Sequence, residues 1–274
     1  MKHSASPLTC SPTGRLARLA MAAGLAALLA ACAAPGPGGL SIDRSVQSRA
    51  QDSRVDFVVL HYTAGDNETS LKVLSEQNVS SHYLITREPR PQVYLLVPEG
   101  RRAWHAGVSE WKGRSHLNNT SIGIEIVNHG RRGNDWKPYT DEQIDTLVIL
   151  LRDIMARHRI APANVVGHSD IAPQRKVDPG PLFPWKRLAD EGLASWFDET
   201  LATRHTEQYI LMGLPPVSTI QEMLRGAGYP AAVTGELDKA TRNVISAFQM
   251  RYRPDLFDGN PDAQTLGILK ALQP

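Results

Sequence analysis

The stretch from Gly167 to Trp185, "GHSDIAPQRKVDPGPLFPW", holds a histidine, two aspartates, an arginine, a lysine and four prolines. Proline fixes φ and removes a backbone donor, so this run is a stiffened loop rather than a helix interior. Stiffening is useful if His168 and Asp178 must stand at fixed positions around a metal ion. His61, which closes the apolar run "FVVLH", is the third candidate. A catalytic zinc site takes three protein ligands from His, Asp, Glu or Cys and keeps a fourth position for water. Strand ends are rigid platforms, and both histidines follow strand-like runs. The spacing is nevertheless unlike the tight cysteine pairs of a strong zinc motif. A histidine at a strand end is also a common satisfied polar residue, so residue types alone leave the metal reading open.

These side chains need elements to position them. "VDFVVLHY" from Val55 is a β-branched run suited to a strand buried on both faces. "SHYLITR" and "QVYLLV" are further strands joined by the proline-containing turn "EPRP". "SIGIEIVN" alternates: Ile122, Ile124 and Ile126 share one face, and Gly123 and Glu125 take the other. "DEQIDTLVILLRDIMARHRI" is a helix, with Thr140 and Gln143 as a capping box and Asp141 and Glu142 in the first turn. Its apolar stripe is Ile144, Leu147, Val148, Leu151, Ile154 and Met155. "NVV" is a short strand delivering His168. Strands mixed with helices predict an α/β domain over residues 54–200, a central mixed sheet flanked by helices.

Beyond residue 200 strand patterns stop, and residues 201–274 are expected to form a small three-helix domain. "STIQEMLRGAGY" places Ser218 and Gln221 at capping-box spacing. Two segments echo each other, Gly235-x-x-Asp238-x-x-Thr241 and Gly259-x-x-Asp262-x-x-Thr265, each leading into an apolar helix. Similar turn-and-cap chemistry would suffice to produce that echo.

With 30 basic and 28 acidic residues, the chain lacks the basic excess that a nucleic-acid partner would call for. At the N-terminus, Lys2, Arg15 and Arg18 precede the apolar run "LAMAAGLAALLAA", too short for a membrane span and suited to a signal-peptide core. It ends Leu29-Ala30-Ala31-Cys32, which resembles a bacterial lipobox. Residues 1–32 are therefore expected to be a lipoprotein signal with Cys32 as the lipidated first mature residue, leaving no thiol for a disulfide. One acyl chain anchors weakly, at about 0.8 kcal/mol per buried CH₂; lipoproteins of this kind carry three. Ala33 after the cysteine is similar to the outer-membrane signal of Gram-negative cells, with the domain facing the periplasm. Residues 33–53, rich in Pro and Gly without apolar period, are expected to be a flexible tether.

"VVLHYTAG", "SSHYLI", "VYLLVPEGRRAWHAGVSEWKGRSHLNNTSIGIEIVN" and "NVVGHSDIAPQRKVDPGPLFPW" resemble consecutive motifs of the zinc-dependent N-acetylmuramoyl-L-alanine amidases, the type-2 amidase family. The likeness runs in order from about Val55 to Trp196. "VISAFQMRYRPDLFDGNPDAQT" resembles the helical peptidoglycan-binding module that follows such domains. The resemblance implies one zinc ion per chain held by His61, His168 and Asp178, Glu125 as general base and Lys176 as stabiliser of the tetrahedral oxyanion. It places the "AWHAG" motif at the wall of the substrate groove, which gives His105 a role in binding or in orienting a metal ligand; Trp104, Trp111 and Asn118 are further groove candidates, with burial in the core the competing reading for the aromatics. His116, His158 and His205 read as surface residues. Glu125 lies opposite the isoleucine face, so it can face a pocket and take a proton from water. A positive Lys176 would favour a developing O⁻ more than a neutral ground state. The implied function is hydrolysis of the bond between N-acetylmuramic acid, ordinary or 1,6-anhydro, and the L-alanine of the stem peptide, in cell-wall turnover. Peptidoglycan and muropeptides are the implied partners, with the outer membrane reached through the lipid anchor. The alternative is a non-catalytic peptidoglycan-binding lipoprotein on the same fold.

Overall fold

The computed structural model describes residues 40, 42–87, 90–133 and 135–273. The expected signal, Cys32 and residues 33–39 of the expected tether lie outside the described residues. Residues 40 and 42–51 are exposed and carry no helix or strand. Residues 52–274 form one compact unit. No helix among the described residues is long and apolar enough to cross a membrane.

Five strands make the central sheet: β1 (Phe57–Tyr62), β2 (Tyr83–Ile85), β3 (Val93–Leu95), β6 (Ser121–Ile126) and β9 (Val165–Gly167). Two small hairpins, β4–β5 (Glu110–Trp111, Arg114–Ser115) and β7–β8 (Arg131–Arg132, Asp135–Trp136), stand apart from it. The order is β3-β2-β6-β1-β9, with β2–β3 antiparallel and the other pairings parallel, as a mixed sheet requires. Eight helices are described: α1 (Asn67–Glu76), α2 (Asp141–His158), α3 (His168–Ile171), α4 (Trp185–Asp190), α5 (Glu199–Met212), α6 (Val217–Gly226), α7 (Lys239–Tyr252) and α8 (Ala263–Ala271).

Strand β1 is buried on both faces, and its alternation sorts two layers. Val58 and Leu60 join Ile122, Ile124 and Ile126 in a cluster closed by Ile144, Leu147, Leu151 and Ile154 of α2. That helix begins with the expected reciprocal capping box between Thr140 and Gln143. Phe57, Val59 and Val166 point the other way, into a cluster shared with Ile220, Leu224, Val244, Phe248 and Leu266 of α6 to α8. Each such fully buried side chain contributes about 1.5–3 kcal/mol, so the C-terminal helices supply much of the cover for this face. Helix α5 precedes them, starting just ahead of the expected boundary.

One local expectation fails. Ser218 does not cap α6; Pro216 stands at the N-cap and Val217 opens the helix. Proline is at home where a helix starts, because the first N–H groups have no intrahelical partner. Gln221 is freed from the cap and is wholly buried elsewhere.

Candidate metal centre

The parallel register pairs His61 of β1 with Glu125 of β6, so both side chains emerge from the same face of the sheet. One strand further, β9 ends at Gly167 and His168 is the first residue of α3. Asp178 returns to this end of the sheet in the proline-rich loop. Two bonds set its place: Ser169 N donates to Asp178 O at 2.8 Å, and the Tyr139 hydroxyl donates to Pro179 O at 2.8 Å. The Asp178–Pro179 peptide is cis. His61, His168 and Asp178 are all buried.

Three acceptor atoms converge there. His61 Nδ1 lies 2.9 Å from His168 Nδ1 and 3.0 Å from Asp178 Oδ2, and His168 Nδ1 lies 3.1 Å from the same oxygen. The surrounding bonds decide where the ring protons are. The Ser121 hydroxyl donates its single proton to Leu117 O at 2.5 Å, so it must accept from His105 Nε2 at 3.2 Å. His105 Nδ1 is then bare and accepts from His61 Nε2 at 3.1 Å. His61 Nδ1 is therefore bare as well. His168 Nε2 faces the carbonyl of Ala106 at 3.2 Å, which can only accept; Arg175 Nη2, 3.4 Å away, already gives its two protons to Ala106 O and Val108 O, so the proton of the neutral ring sits on Nε2 and Nδ1 is bare too. Burial, reinforced by the nearby His168, lowers the His61 pKa to about 4, which keeps this ring neutral at physiological pH.

Two bare nitrogens and a carboxylate facing one another with no donor between them call for a cation. Ligand atoms around a tetrahedral ion with bonds of ~2.0–2.2 Å stand about 3.4 Å apart, close to the spacings seen. Mixed imidazole and carboxylate donors suit Zn²⁺. The residues fit the metal. His82 shows the opposite condition: it is buried, accepts from Gly123 N at 3.0 Å and meets the Arg101 carbonyl at 3.0 Å, so backbone groups use both ring nitrogens.

The triad opens into a cavity of about 430 Å³ whose lining includes Tyr62, Trp104, His105, Glu125 and Lys176. Glu125 is partly exposed to this cavity, but its Oε2 is buried without a hydrogen-bond partner. Burial, with the Asp178 charge adding to it, raises its pKa to about 8. Lys176 shares the cavity and its charge opposes that rise. Gly123 is needed beneath His105, since a Cβ there would stand 2.5 Å from the imidazole Cγ.

Of the groove candidates, Trp104 lines the cavity and is 53% exposed. His105 lies in the cavity wall and touches His61 directly. Asn118 is absent from that lining; its Oδ1 accepts from His105 N and Ala106 N at 3.1 and 2.7 Å, holding the backbone turn that carries His105. Trp111 is buried at 3% and packs edge-on against Tyr229, so it belongs to the core. His116 is exposed as expected, but His158 is half-buried between Ser53 (2.7 Å) and Glu99 (2.9 Å), which corrects its surface reading.

Several supporting residues escape a reading of the sequence. Arg175 donates to the carbonyls of Ala106 and Val108, fixing the loop opposite His168. Ser121 and Tyr139 act through folded contacts that no spacing announces. Asp170 did leave a local signal, a carboxylate three residues after Gly167, whose N–H it accepts at 2.8 Å.

The chain is similar to known proteins over most of its length. The family described as N-acetylmuramoyl-L-alanine amidase matches residues 51–181, and one described as putative peptidoglycan binding domain matches residues 214–269. The N-acetylmuramoyl-L-alanine amidase AmiD of Escherichia coli is 42% identical over 247 residues, spanning 85% of this chain and 88% of that protein. The crystal structure of AMPDH3 from Pseudomonas aeruginosa superposes with a TM-score of 0.80 at 41% identity, covering 85% of this chain and 97% of that one. A complex of the E. coli AmiD with the substrate anhydro-N-acetylmuramic acid-L-Ala-D-γ-Glu-L-Lys gives a TM-score of 0.76 at 41% identity, covering 86% and 95%.

Proposed function

The chain belongs to the N-acetylmuramoyl-L-alanine amidase family, and on that premise we propose how its own residues carry the reaction. It is a hydrolase of the amide bond joining N-acetylmuramic acid to the L-alanine of a peptidoglycan stem peptide. The observation that carries the reading is the convergence of His61 Nδ1, His168 Nδ1 and Asp178 Oδ2 to within 3.1 Å of one another, beside a glutamate whose buried Oε2 has no hydrogen-bond partner.

His61, His168 and Asp178 would hold Zn²⁺ through Nδ1, Nδ1 and Oδ2. When bound, zinc supplies Lewis-acid polarisation of the amide carbonyl and makes water a stronger acid. Glu125 takes the proton of the attacking water. A carboxyl poised near neutrality can accept a proton and return it, here to the L-alanine nitrogen as the C–N bond breaks. A cation beside it would draw its pKa down from the metal-free position, which favours the accepting form. Lys176, in the same cavity, stabilises the oxygen that becomes negative when the carbonyl carbon is attacked. His105 keeps His61 in the tautomer that exposes Nδ1. Trp104 offers an apolar face to the sugar or peptide. The substrate of the matched AmiD complex makes anhydro-muropeptides candidate substrates alongside the intact polymer.

Residues 214–269, by their family match, bind peptidoglycan and raise the local concentration of the enzyme on its polymer. Residues 1–32 direct lipidation at Cys32, residues 33–53 tether, and the amidase acts from the outer membrane into the periplasm. That part rests on the apolar leader and the Leu29–Cys32 sequence alone; loss of radiolabelled palmitate incorporation in Cys32→Ala tests it.

Mass spectrometry of products from muropeptides tests the activity. Release of an intact stem peptide with a free L-alanine amine is expected, and is expected to vanish in Glu125→Gln. Cleavage within the stem, or zinc binding without any release, contradicts the reading.

A further inference from the structure

The C-terminal helices reach the metal centre. Arg251, near the end of α7, is only 4% exposed. Its Nη1 donates to Asp170 Oδ2 at 2.7 Å, and both terminal nitrogens lie 3.2 Å from Val165 O. Tyr229, in the turn after α6, donates its hydroxyl to the other Asp170 oxygen at 2.9 Å. Asp170 Oδ2 meanwhile accepts from Gly167 N. The hydrogen bonds of the two terminal nitrogens thus fall on residues 165–170, the strand and first helical turn that deliver His168, while Nε is buried without a partner. The group also lies 3.9 Å from the centre of the Trp185 ring, so it is fixed from a second side.

Stability alone does not explain this pair. A buried ion pair is often no better than apolar residues of the same shape, though removing one partner is costly. What the pair does supply is a defined geometry: a planar fork that locks Asp170, which in turn closes the turn starting at His168. We infer that Arg251, with Tyr229, is a positioning residue for His168, so that the C-terminal helical region completes the metal centre as well as carrying it to the polymer. This rests on reading His168 as a metal ligand.

The test uses the full chain carrying Arg251→Met, Arg251→Lys or Tyr229→Phe. Gln249→Met is the control, a buried polar residue of the same helix that bonds only within the C-terminal region. Zinc affinity is measured by competition with a fluorescent chelator, and the d–d absorption of the cobalt-substituted protein reports the ligand geometry. Arg251→Met should weaken zinc binding by about 10–100-fold and alter the cobalt spectrum, and Arg251→Lys should recover part of both. Gln249→Met should lower the unfolding temperature while leaving both readouts unchanged. If Arg251→Met does not fold, Tyr229→Phe decides, with severalfold weaker zinc binding expected. Folded Arg251→Met, or failing that Tyr229→Phe, with parental affinity and spectrum overturns the inference. A parent chain that binds no zinc, or an Asp178→Asn chain that binds it normally, would instead sink the metal reading beneath it.

Discussion

Two buried polar clusters in this molecule look alike in composition and differ in bookkeeping of protons. In the C-terminal region, Gln221 Oε1 accepts from Thr234 N and Gly235 N at 2.9 Å each, and Nε2 reaches Thr241 Oγ1 at 2.8 Å. Gln249 repeats the arrangement, accepting from Gly259 N at 2.9 Å and donating to Thr265 Oγ1 at 3.1 Å. Every acceptor there meets a donor. At the metal centre three acceptors meet one another, and a fourth group, Glu125 Oε2, meets none. Buried polar groups are ordinarily paired. A cluster that pairs internally holds a fold together; one that presents only lone pairs waits for something from outside.

Breaking the unpaired cluster should have the larger consequence for function. Asp178→Asn removes the only formal negative charge among the three converging groups. Zinc binding is expected to be lost, with activity falling on the order of 10³-fold or more, since Lewis-acid stabilisation is worth several kcal/mol. Zinc content and turnover on muropeptides check this together. Glu125→Gln should cut turnover by about 10²–10⁴-fold while leaving one zinc per chain.

The same variant has an opposite effect on stability. In the metal-free protein the folded pKa of Glu125, about 8, lies above its ordinary value of 4.5. Between those values the folded chain holds a proton that the unfolded chain releases, so its contribution is fullest below about pH 4.5 and is lost as pH rises toward 8. Glu125→Gln removes that loss. The metal-free variant should unfold on the order of 5 °C higher than its parent at pH 7–8, and the two should converge near pH 4.5 in a calorimetric series.

The paired cluster predicts the reverse pattern. Gln221→Ala strands two backbone donors and a threonine hydroxyl, costing about 1–3 kcal/mol. That lowers the unfolding temperature by roughly 2–4 °C per kcal/mol in a unit of this size, with zinc affinity unchanged. A Gln221→Ala chain that lost zinc while keeping its unfolding temperature would erase the distinction between the clusters.

What could be read beforehand follows the range of each interaction. The Thr140–Gln143 box and the alternation of Ile122, Ile124 and Ile126 are local, so pattern alone reveals them. The echo of Gly235 to Thr241 in Gly259 to Thr265 was visible. Its cause is capping by Asp238 and Asp262 beneath glycines with φ of 78° and 76°, and it needed the two buried glutamines to be understood. His61 and His168 could be placed at strand ends, but spacing left the metal open and the family likeness named the ligands. The tautomers depend on Ser121, His105 and Ala106, which only the fold assembles. Arg251 and Asp170, 81 residues apart, could not be paired from sequence, because nothing local distinguishes a buried arginine from a solvated one on a helix.

The central claim is that an ion is held between these three side chains through particular atoms. An anomalous-difference X-ray map at the zinc edge, from crystals of the zinc-loaded full chain, tests it directly. A single peak is expected at ~2.0–2.2 Å from His61 Nδ1, His168 Nδ1 and Asp178 Oδ2. A peak elsewhere, or ligation through either Nε2, would contradict the account.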